Sequence, residues 1–285
     1  MQKIRDKRGY LYILPAVLLV ALFSYYPFIK SFIYSFFTIT PRGELKNFVF
    51  LDNYRKLLSN PDFMRAVSQS MKFTLIFLPI NTLITLISAT VIRRESRFAS
   101  WMGAIYILPL ACSLSFSSLI FKEIFKGSDS IINRIFGLDI PWLNTTGSAF
   151  WAIIMLSVFL DFALDHILLL SAFRKIDRSV IEASLIDGTN EVQRYFFIEL
   201  PQIVPTLLLT AFMAFKDAML ISAPILTMTE GGPYRSTETI MYYYYLEAFK
   251  SSNRTTGAVI STLMIMFSAL VIFIYYLVQR RRDHE

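Results

Sequence analysis

Residues 149–173 read AFWAIIMLSVFLDFALDHILLLSAF, an apolar run broken only by Asp161, Asp165 and His166 among ionisable side chains. A run of about 20 such residues crosses roughly 30 Å of hydrocarbon when it forms an α-helix. A soluble domain of 285 residues does not usually group its apolar residues in this way. The run therefore predicts a membrane-spanning helix.

Five further runs of the same kind predict six spans in all. The predicted spans are approximately 11–37, 71–92, 98–121, 149–173, 203–228 and 256–278. Lipid offers no partner to bare backbone groups, and a helix satisfies these groups internally. The predicted fold is all-α, a polytopic membrane helix bundle that forms one transmembrane domain over residues 1–285, with prolines kinking several spans.

The charge pattern predicts the orientation and excludes some partners. The net charge is +7, but Lys and Arg flank the apolar runs, so we expect a lipid bilayer and not nucleic acid as the partner. Basic residues are roughly twofold denser in the termini, 93–100 and 174–201 than in the other connections, which predicts that these parts are cytoplasmic. The single cysteine, Cys112, and two distant histidines predict neither an internal disulfide nor a metal cluster.

One connection, residues 174–201, is too polar to span a membrane. It contains residues that typically begin and end helices. Ser179 followed by Glu182 predicts a capping box. A short helix is predicted from Val180 to Ile186, ended by Gly188 in the left-handed conformation. The segment is therefore predicted to be a helical element outside the hydrocarbon.

A second short helix is predicted to begin at Asn190 and to stop at Pro201. On the first helix, Ile181, Ser184 and Gly188 share one face together with Leu185. Ser184 and Gly188 are small, so another backbone could approach this face closely. The pattern leaves two alternatives open, a helical hairpin on the membrane surface and a docking element for a partner.

A resemblance favours docking. The stretch EASLIDG, followed by Ile-Glu-Leu-Pro at 198–201, resembles the EAA loop, the signature of membrane subunits of binding-protein-dependent ABC importers. Ser184 stands where the family's pattern has its second alanine. The resemblance implies contact with an ATPase through Glu182, Ala183, Ser184, Asp187, Gly188, Ile198, Leu200 and Pro201.

Three other stretches resemble the carbohydrate-uptake branch of that family. They are LYILPAVLLVALFSYYPFIKSF from Leu11, LDNYRKLLSNPDF from Leu51 and LTMTEGGPYRSTETIMYYYYLEAF from Leu226. The last one is similar to the first of the two paired membrane subunits, of the maltose, multiple-sugar or glycerol-phosphate type.

The resemblance implies a permease in the bacterial cytoplasmic membrane that forms a path for a sugar or oligosaccharide. The implied partners are a second homologous permease subunit, two cytoplasmic ATPase subunits and an extracellular or periplasmic solute-binding protein. The chain has no GxxxxGK[ST] phosphate loop. Mg-ATP is therefore expected to be used by separate subunits, and this chain is expected to hold no cofactor, no metal and no catalytic residue.

Charged residues inside spans are costly and usually face a cavity or a partner. Asp161 and Asp165 lie one turn apart in the fourth span, and Lys216 and Asp217 lie in the fifth. One interpretation is an ion pair between a carboxylate of the fourth span and Lys216. The other is that these groups hydrogen-bond sugar hydroxyls.

The resemblance also places the family's substrate-contact positions in these two spans. They correspond to Ser157, Asp161 and Leu164 in the fourth span, and to Ala218 and Ile221 in the fifth. With the charged neighbours, the candidate path is Ser157, Asp161, Leu164, Asp165, Lys216, Asp217, Ala218 and Ile221.

Two other classes of function compete with the importer. An ion-coupled secondary transporter usually shows inverted repeats, and this sequence shows none. A membrane-embedded transferase would use Asp161, Asp165 and His166 as an acid–base cluster, but the sequence has no catalytic set at a membrane face. The importer subunit is the function that the sequence favours.

Overall fold

The computed structural model describes residues 8–40, 42–94 and 96–282, and most of them are helical. Its α-helices are α1 (Arg8–Val20), α2 (Tyr26–Tyr34), α3 (Asp52–Leu58), α4 (Pro61–Val91), α5 (Arg97–Ile107), α6 (Leu114–Phe125), α7 (Ile131–Phe136), α8 (Thr146–Arg174), α9 (Arg178–Ile186), α10 (Glu191–Arg194), α11 (Leu200–Met219), α12 (Ala223–Met228), α13 (Ile240–Tyr245) and α14 (Arg254–Arg282). Shorter turns are π-helical at Ala21–Tyr25, Tyr195–Glu199 and Leu246–Lys250, and 3-10 at Leu108–Ala111.

One antiparallel hairpin departs from a wholly helical chain. Its strands are β1 (Phe37–Ile39) and β2 (Leu45–Phe48), with Phe37 opposite Phe48 and Ile39 opposite Leu45. The first span consequently ends at Tyr34, since the chain enters the hairpin at Phe37, the residue predicted to end the span.

The described residues contain five continuous helical stretches that are long and apolar enough to cross a membrane. They are Tyr12–Tyr34, Pro61–Val91, Thr146–Arg174, Glu191–Met219 and Arg254–Leu277. A sixth is present when Arg97–Ala111 and Leu114–Phe125, which meet at a bend of 102°, are counted as one broken span. The polytopic helical fold is therefore confirmed.

The third predicted span is broken after Pro109, where α5 passes into a 3-10 turn and α6 begins at Leu114. Pro109 lacks the N–H that an α-helix needs, and the chain tightens there into a 3-10 turn. Ser113 then starts α6 by accepting a hydrogen bond from the Phe116 N–H at 3.2 Å. The span predicted over 98–121, for which a proline kink was expected, thus consists of two helices that meet at a bend of 102°.

Two other spans begin or end away from their predicted bounds. The fifth is interrupted between Met219 and Ala223, just before Pro224, so the predicted stretch 203–228 contains two helices, α11 and α12. The second begins at Pro61 and not near residue 71, because a proline is compatible with the first turn of a helix.

The chain divides into two compact units. One comprises residues up to Met64 together with Tyr244–Ile274, and the other comprises Arg65–Tyr243 together with residues from Tyr275 onward. The prediction of one permease domain over 1–285 stays a prediction. Both predicted site regions, residues 157–221 with the connection 174–201 inside that range, fall in the second unit.

Two cores of the second unit hold those regions in place. One core packs the end of α8 against α4 and α11 through Ala89, Leu169, Phe173, Ile176 and Ile203. The other packs α6, α8 and α12 through Phe125, Trp142, Ala152, Leu156 and Met228. Buried apolar side chains thus fix α8 at both ends.

Candidate functional site

The EAA-like segment, residues 174–201, begins with a helix whose cap lies earlier than predicted. Asp177 is the N-cap of α9, and its Oδ1 accepts a hydrogen bond from the Ser179 N–H at 2.9 Å. Hydrogen bonds from Ser179 also hold the pKa of the Asp177 carboxyl below its ordinary value. The predicted capping box of Ser179 with Glu182 is wrong, because Ser179 already lies inside the helix.

The predicted end of α9 is confirmed. Gly188 has φ of +76°, in the left-handed region that favours glycine. The Ser184 carbonyl accepts two hydrogen bonds from Thr189, one from its N–H at 3.1 Å and one from the Thr189 hydroxyl at 2.7 Å. Apart from its neighbours in sequence, no described residue has an atom within 4 Å of a Cβ added at Gly188, so backbone conformation, and not crowding, accounts for the glycine.

The second half of the EAA-like segment runs into the fifth span without stopping. Asn190 caps α10 in a reciprocal capping box with Gln193. A π-helical turn at Tyr195–Glu199 then leads directly into α11. The predicted stop at Pro201 is wrong, because the π-helical turn before the proline continues directly into α11.

Part of the small-residue face of α9, namely Ile181 and Ser184, is turned into the chain itself. Ser184 is 3% exposed and donates to the Ile181 carbonyl at 2.6 Å. Ile181 packs against the core that contains Phe173 and Ile203. Of the two small residues of this face, Ser184 therefore packs within the chain and Gly188 is exposed, and the docking of a partner stays a prediction.

The rest of the surface of α9 is open. Ile186 is 87% exposed and Leu185 is 54% exposed. The predicted contact residues on this exposed side are Glu182, Ala183, Asp187 and Gly188. Of the others, Ile198 and Leu200 are half-buried and Pro201 is exposed.

A cavity of about 520 Å³ lies beside the EAA-like segment. Glu182 and Glu199 line it, together with four arginines, Arg93, Arg94, Arg178 and Arg194. Glu182 itself forms no ion pair with any residue that the structure describes. Sequence reasoning missed Arg93, Arg194 and Glu199, although a glutamate in the otherwise apolar stretch YFFIEL was a signal that it needs a partner.

A second cavity, here called the span cavity, lies among α4, α6, α8 and the break between α11 and α12. Its volume is about 190 Å³. It brings together five of the predicted path residues, Ser157, Asp161, Asp217, Ala218 and Ile221. Its other lining residues are Phe73, Phe77, Leu114, Leu160, Leu220, Ser222 and Pro224.

The polar side chains that line the span cavity are two carboxylates and two hydroxyls. Asp161 and Asp217 contribute carboxylates. Ser157 is buried, and its hydroxyl has no hydrogen-bond partner among the described residues. Carboxylates and a free hydroxyl can together bind the hydroxyl groups of a ligand.

Three predicted path residues lie outside the lining of the span cavity. Leu164 is exposed, and Asp165 is turned toward α4. Lys216 pairs with its neighbour Asp217, with 2.9 Å between Nζ and Oδ1. The alternative in which Lys216 pairs with Asp161 or Asp165 is therefore wrong.

Asp165 and His166 belong to a buried polar layer between α4 and α8. Asn81 Nδ2 donates to Asp165 Oδ2 at 2.7 Å. Ser88 Oγ and His166 Nδ1 lie 2.8 Å apart in a second hydrogen bond. These two bonds hold α4 against α8 in one register.

Comparison with known families gives one match over most of the chain. The model of the family described as "Binding-protein-dependent transport system inner membrane component" matches residues 65–284. This range contains the EAA-like segment, the span cavity and the buried polar layer.

Among individual proteins, the chain is similar to the lactose transport system permease protein LacF of Rhizobium radiobacter. The two are 28% identical over 252 residues, covering 84% of this chain and 83% of LacF. It is also similar to the multiple sugar-binding transport system permease protein MsmF of Streptococcus mutans, at 27% identity over 81% of each chain.

A similar fold occurs in a solved structure, that of a bacterial ABC transporter involved in the import of the acidic polysaccharide alginate. The TM-score is 0.86, and the match covers 97% of this chain and 96% of the other at 18% identity. At this identity the likeness concerns the fold.

Proposed function

This chain belongs to the family of inner membrane components of binding-protein-dependent transport systems, and on that premise we propose that it is the permease subunit of an ATP-driven importer for a neutral sugar. With a second homologous permease subunit it forms the translocation path in the bacterial cell membrane. A solute-binding protein delivers the sugar from outside. Two cytoplasmic ATPase subunits use Mg-ATP, so hydrolysis takes place outside this chain.

The observation that carries the proposal is the family match across residues 65–284, which spans both the EAA-like segment and the span cavity. The named relatives add the class of cargo, since LacF is a lactose system component and MsmF a multiple sugar-binding one. A permease of this kind needs a polar cavity at the level of its spans and an exposed element that meets the ATPase. The chain has a candidate for each.

The chemistry of the span cavity favours a neutral sugar over an anion. Its ionisable lining groups are Asp161 and Asp217, and carboxylates accept hydrogen bonds from sugar hydroxyls. The carboxylate of Asp161, which forms no ion pair with the described residues, repels phosphate and uronate groups. Lys216, the nearest cation in sequence, is engaged with Asp217 and does not line the cavity. We therefore propose a neutral saccharide, and not a glycerol phosphate or an acidic polysaccharide, as the cargo.

The exposed side of α9 is the proposed contact with an ATPase subunit. Ile186 and Leu185 supply an apolar surface, and Glu182 and Asp187 supply charge beside it. An apolar centre with a charged rim is the usual composition of a protein–protein contact. The inward packing of Ser184 fixes the helix on the permease, so that force applied to the outer side reaches the spans.

Reconstitution tests the proposal directly. The chain is co-expressed with a second permease subunit and the ATPase, purified by a tag on this chain, and placed in proteoliposomes with the binding protein. We expect uptake of a neutral sugar that requires internal ATP, with glycerol 3-phosphate and alginate oligosaccharides failing to compete. Uptake driven by an ion gradient without ATP would refute the importer, and efficient uptake of the anionic compounds would refute the cargo class.

A further inference from the structure

Four charged residues form a compact cluster where α4 meets the EAA-like segment; we call Arg93, Glu191, Arg194 and Glu199 the ion-pair cluster. Arg93 follows the end of α4, and the other three lie in α10 and the π-helical turn. Arg93 Nε lies 2.7 Å from Glu199 Oε2, and Arg93 Nη2 lies 3.2 Å from Glu191 Oε1. Arg194 Nε donates to Glu199 Oε1 at 3.1 Å.

Burial separates this cluster from an ordinary surface ion pair. The side chains of Glu199, Arg194 and Arg93 are 5%, 7% and 14% exposed. A buried carboxylate between two guanidinium groups is strongly held, because both cations offset the cost of burying its charge. Glu199 Oε2 accepts no directed hydrogen bond from the described residues, so Arg93 holds it by charge and proximity.

Two further contacts join the same parts of the chain. The Arg93 guanidinium lies 5.6 Å from the centroid of the Tyr195 ring, within the range of a cation–π interaction. The Tyr195 hydroxyl lies 3.2 Å from Thr90 Oγ1, in the last turn of α4. The end of α4 and the EAA-like segment are therefore joined by charge, ring and hydroxyl contacts.

The other part of α4 lines the span cavity. Phe73 and Phe77, both on α4, belong to its wall. Asn81, one turn further along α4, binds Asp165 of α8. A continuous helix thus runs from the wall of the cavity to the ion-pair cluster.

We propose that Arg93 and Glu199 transmit the movement of the EAA-like segment to α4 and so to the wall of the span cavity. This inference rests on the proposed function, in which the ATPase moves that segment. Arg93 is a positioning residue that acts through α4 and touches neither sugar nor ATP. Without the charge of Arg93 the EAA-like segment still meets the ATPase. Its movement on ATP hydrolysis is then no longer passed to Phe73 and Phe77.

The test uses Arg93→Gln with Arg94→Gln as a matched control. Arg93→Gln removes the ion pairs that Arg93 makes with Glu199 and Glu191, while the Arg194–Glu199 pair inside the segment stays intact. Arg94→Gln removes the same charge one residue away, where the arginine is 62% exposed and pairs with the exposed Glu191. Sugar uptake and ATP hydrolysis are measured on the same reconstituted complex, so that their ratio is obtained for each variant.

We expect Arg93→Gln to lower the sugar transported per ATP by about tenfold, the order of a lost coupling contact. ATP hydrolysis should persist, and Arg94→Gln should keep the ratio of the unmodified complex. A structural role alone would lower the yield of complex and leave the ratio unchanged, and that result would overturn the inference.

A second variant decides the matter if Arg93→Gln does not assemble. Arg93→Lys keeps the positive charge but cannot reach Glu191 and Glu199 through separate guanidinium nitrogens. We expect it to assemble with a ratio between those of the unmodified complex and a fully uncoupled one. An unchanged ratio in Arg93→Lys would then overturn the inference.

The proposed function has its own readout in the same samples. A photocrosslinker at residue 186 should capture an ATPase subunit in every variant, because the exposed side of α9 is unaltered. Capture with an unchanged ratio in the Arg93 variants refutes only the transmission step. Absence of capture in the unmodified complex refutes the docking proposal itself.

Discussion

Replacing Gly188 by valine perturbs the EAA-like segment through its backbone alone. The residue has φ of +76°, and a side chain in the left-handed region costs roughly 1–2 kcal/mol, with β-branched residues the least tolerated. Beyond its sequence neighbours, none of the residues that the structure describes comes within 4 Å of the added Cβ, so no clash adds to that cost. A penalty of this size corresponds to roughly a 5- to 30-fold loss in the population of the native turn.

We expect Gly188→Val to lower sugar-stimulated ATP hydrolysis and sugar uptake together, by a factor in that range. The turn sets the end of α9, so its loss displaces the exposed residues proposed to meet the ATPase. Both activities are measured on one purified complex in proteoliposomes. Assembly with the second permease subunit, followed by co-purification, should stay normal because the core beneath α9 is untouched.

Two matched variants separate the conformational effect from other causes. Gly188→Asn places a residue that tolerates the left-handed region, and it should retain most of the activity. Gly137 ends α7 with φ of +64° and also has no neighbour within 4 Å of an added Cβ. Gly137→Val therefore carries the same strain outside the segment and should leave coupling intact. Full coupled activity in Gly188→Val, or an equal loss in Gly137→Val, would refute the reasoning.

Asp161→Asn should change the rate or sugar dependence of uptake without loss of assembly, because the carboxylate lines the span cavity; identical uptake of all sugars would contradict its placement in the path. Asn81→Leu removes the hydrogen-bond donor to the buried Asp165 and should lower the free energy of unfolding by about 1–3 kcal/mol. The purified complex should then have a lower Tm, and an unchanged Tm would show that the bond contributes little. In a Cys112→Ala background, Ile186→Cys should react with a membrane-impermeant thiol reagent only from the cytoplasmic side; labelling on intact cells would reverse the predicted orientation.

Hydropathy was sufficient to predict the spans, since crossing hydrocarbon imposes a length and an apolar composition that a sequence shows directly. It could not predict the breaks at 112–113 and 220–222, where the apolar runs continue without change. A proline such as Pro109 is compatible with a kink, a break or an unbroken helix, and Pro79 inside α4 is an example of the last. Which of the three forms depends on how the neighbouring helices pack around the proline.

The candidate site was predictable to the extent that it is local in sequence. The left-handed Gly188 followed from the end of a short helix, whereas the cap was misassigned because Asp177 and Ser179 are both good capping residues. The pair of Arg93 and Glu199 joins residues that are far apart in the chain, so no spacing rule could find it. Its geometry becomes visible only when the helices are packed.

The break in the third span bears on how deeply water must enter the protein within the bilayer. From Arg97 to Ala111 the helix rises by roughly 22 Å, which is less than the roughly 30 Å of hydrocarbon. If Arg97 lies at the level of the headgroups, Cys112 and Ser113 lie at a depth where lipid cannot satisfy their freed backbone groups. Such irregular backbone is tolerated only when protein or water covers it, and the adjoining Leu114 lines the span cavity. At that depth the break therefore needs either protein or water from the span cavity as its cover.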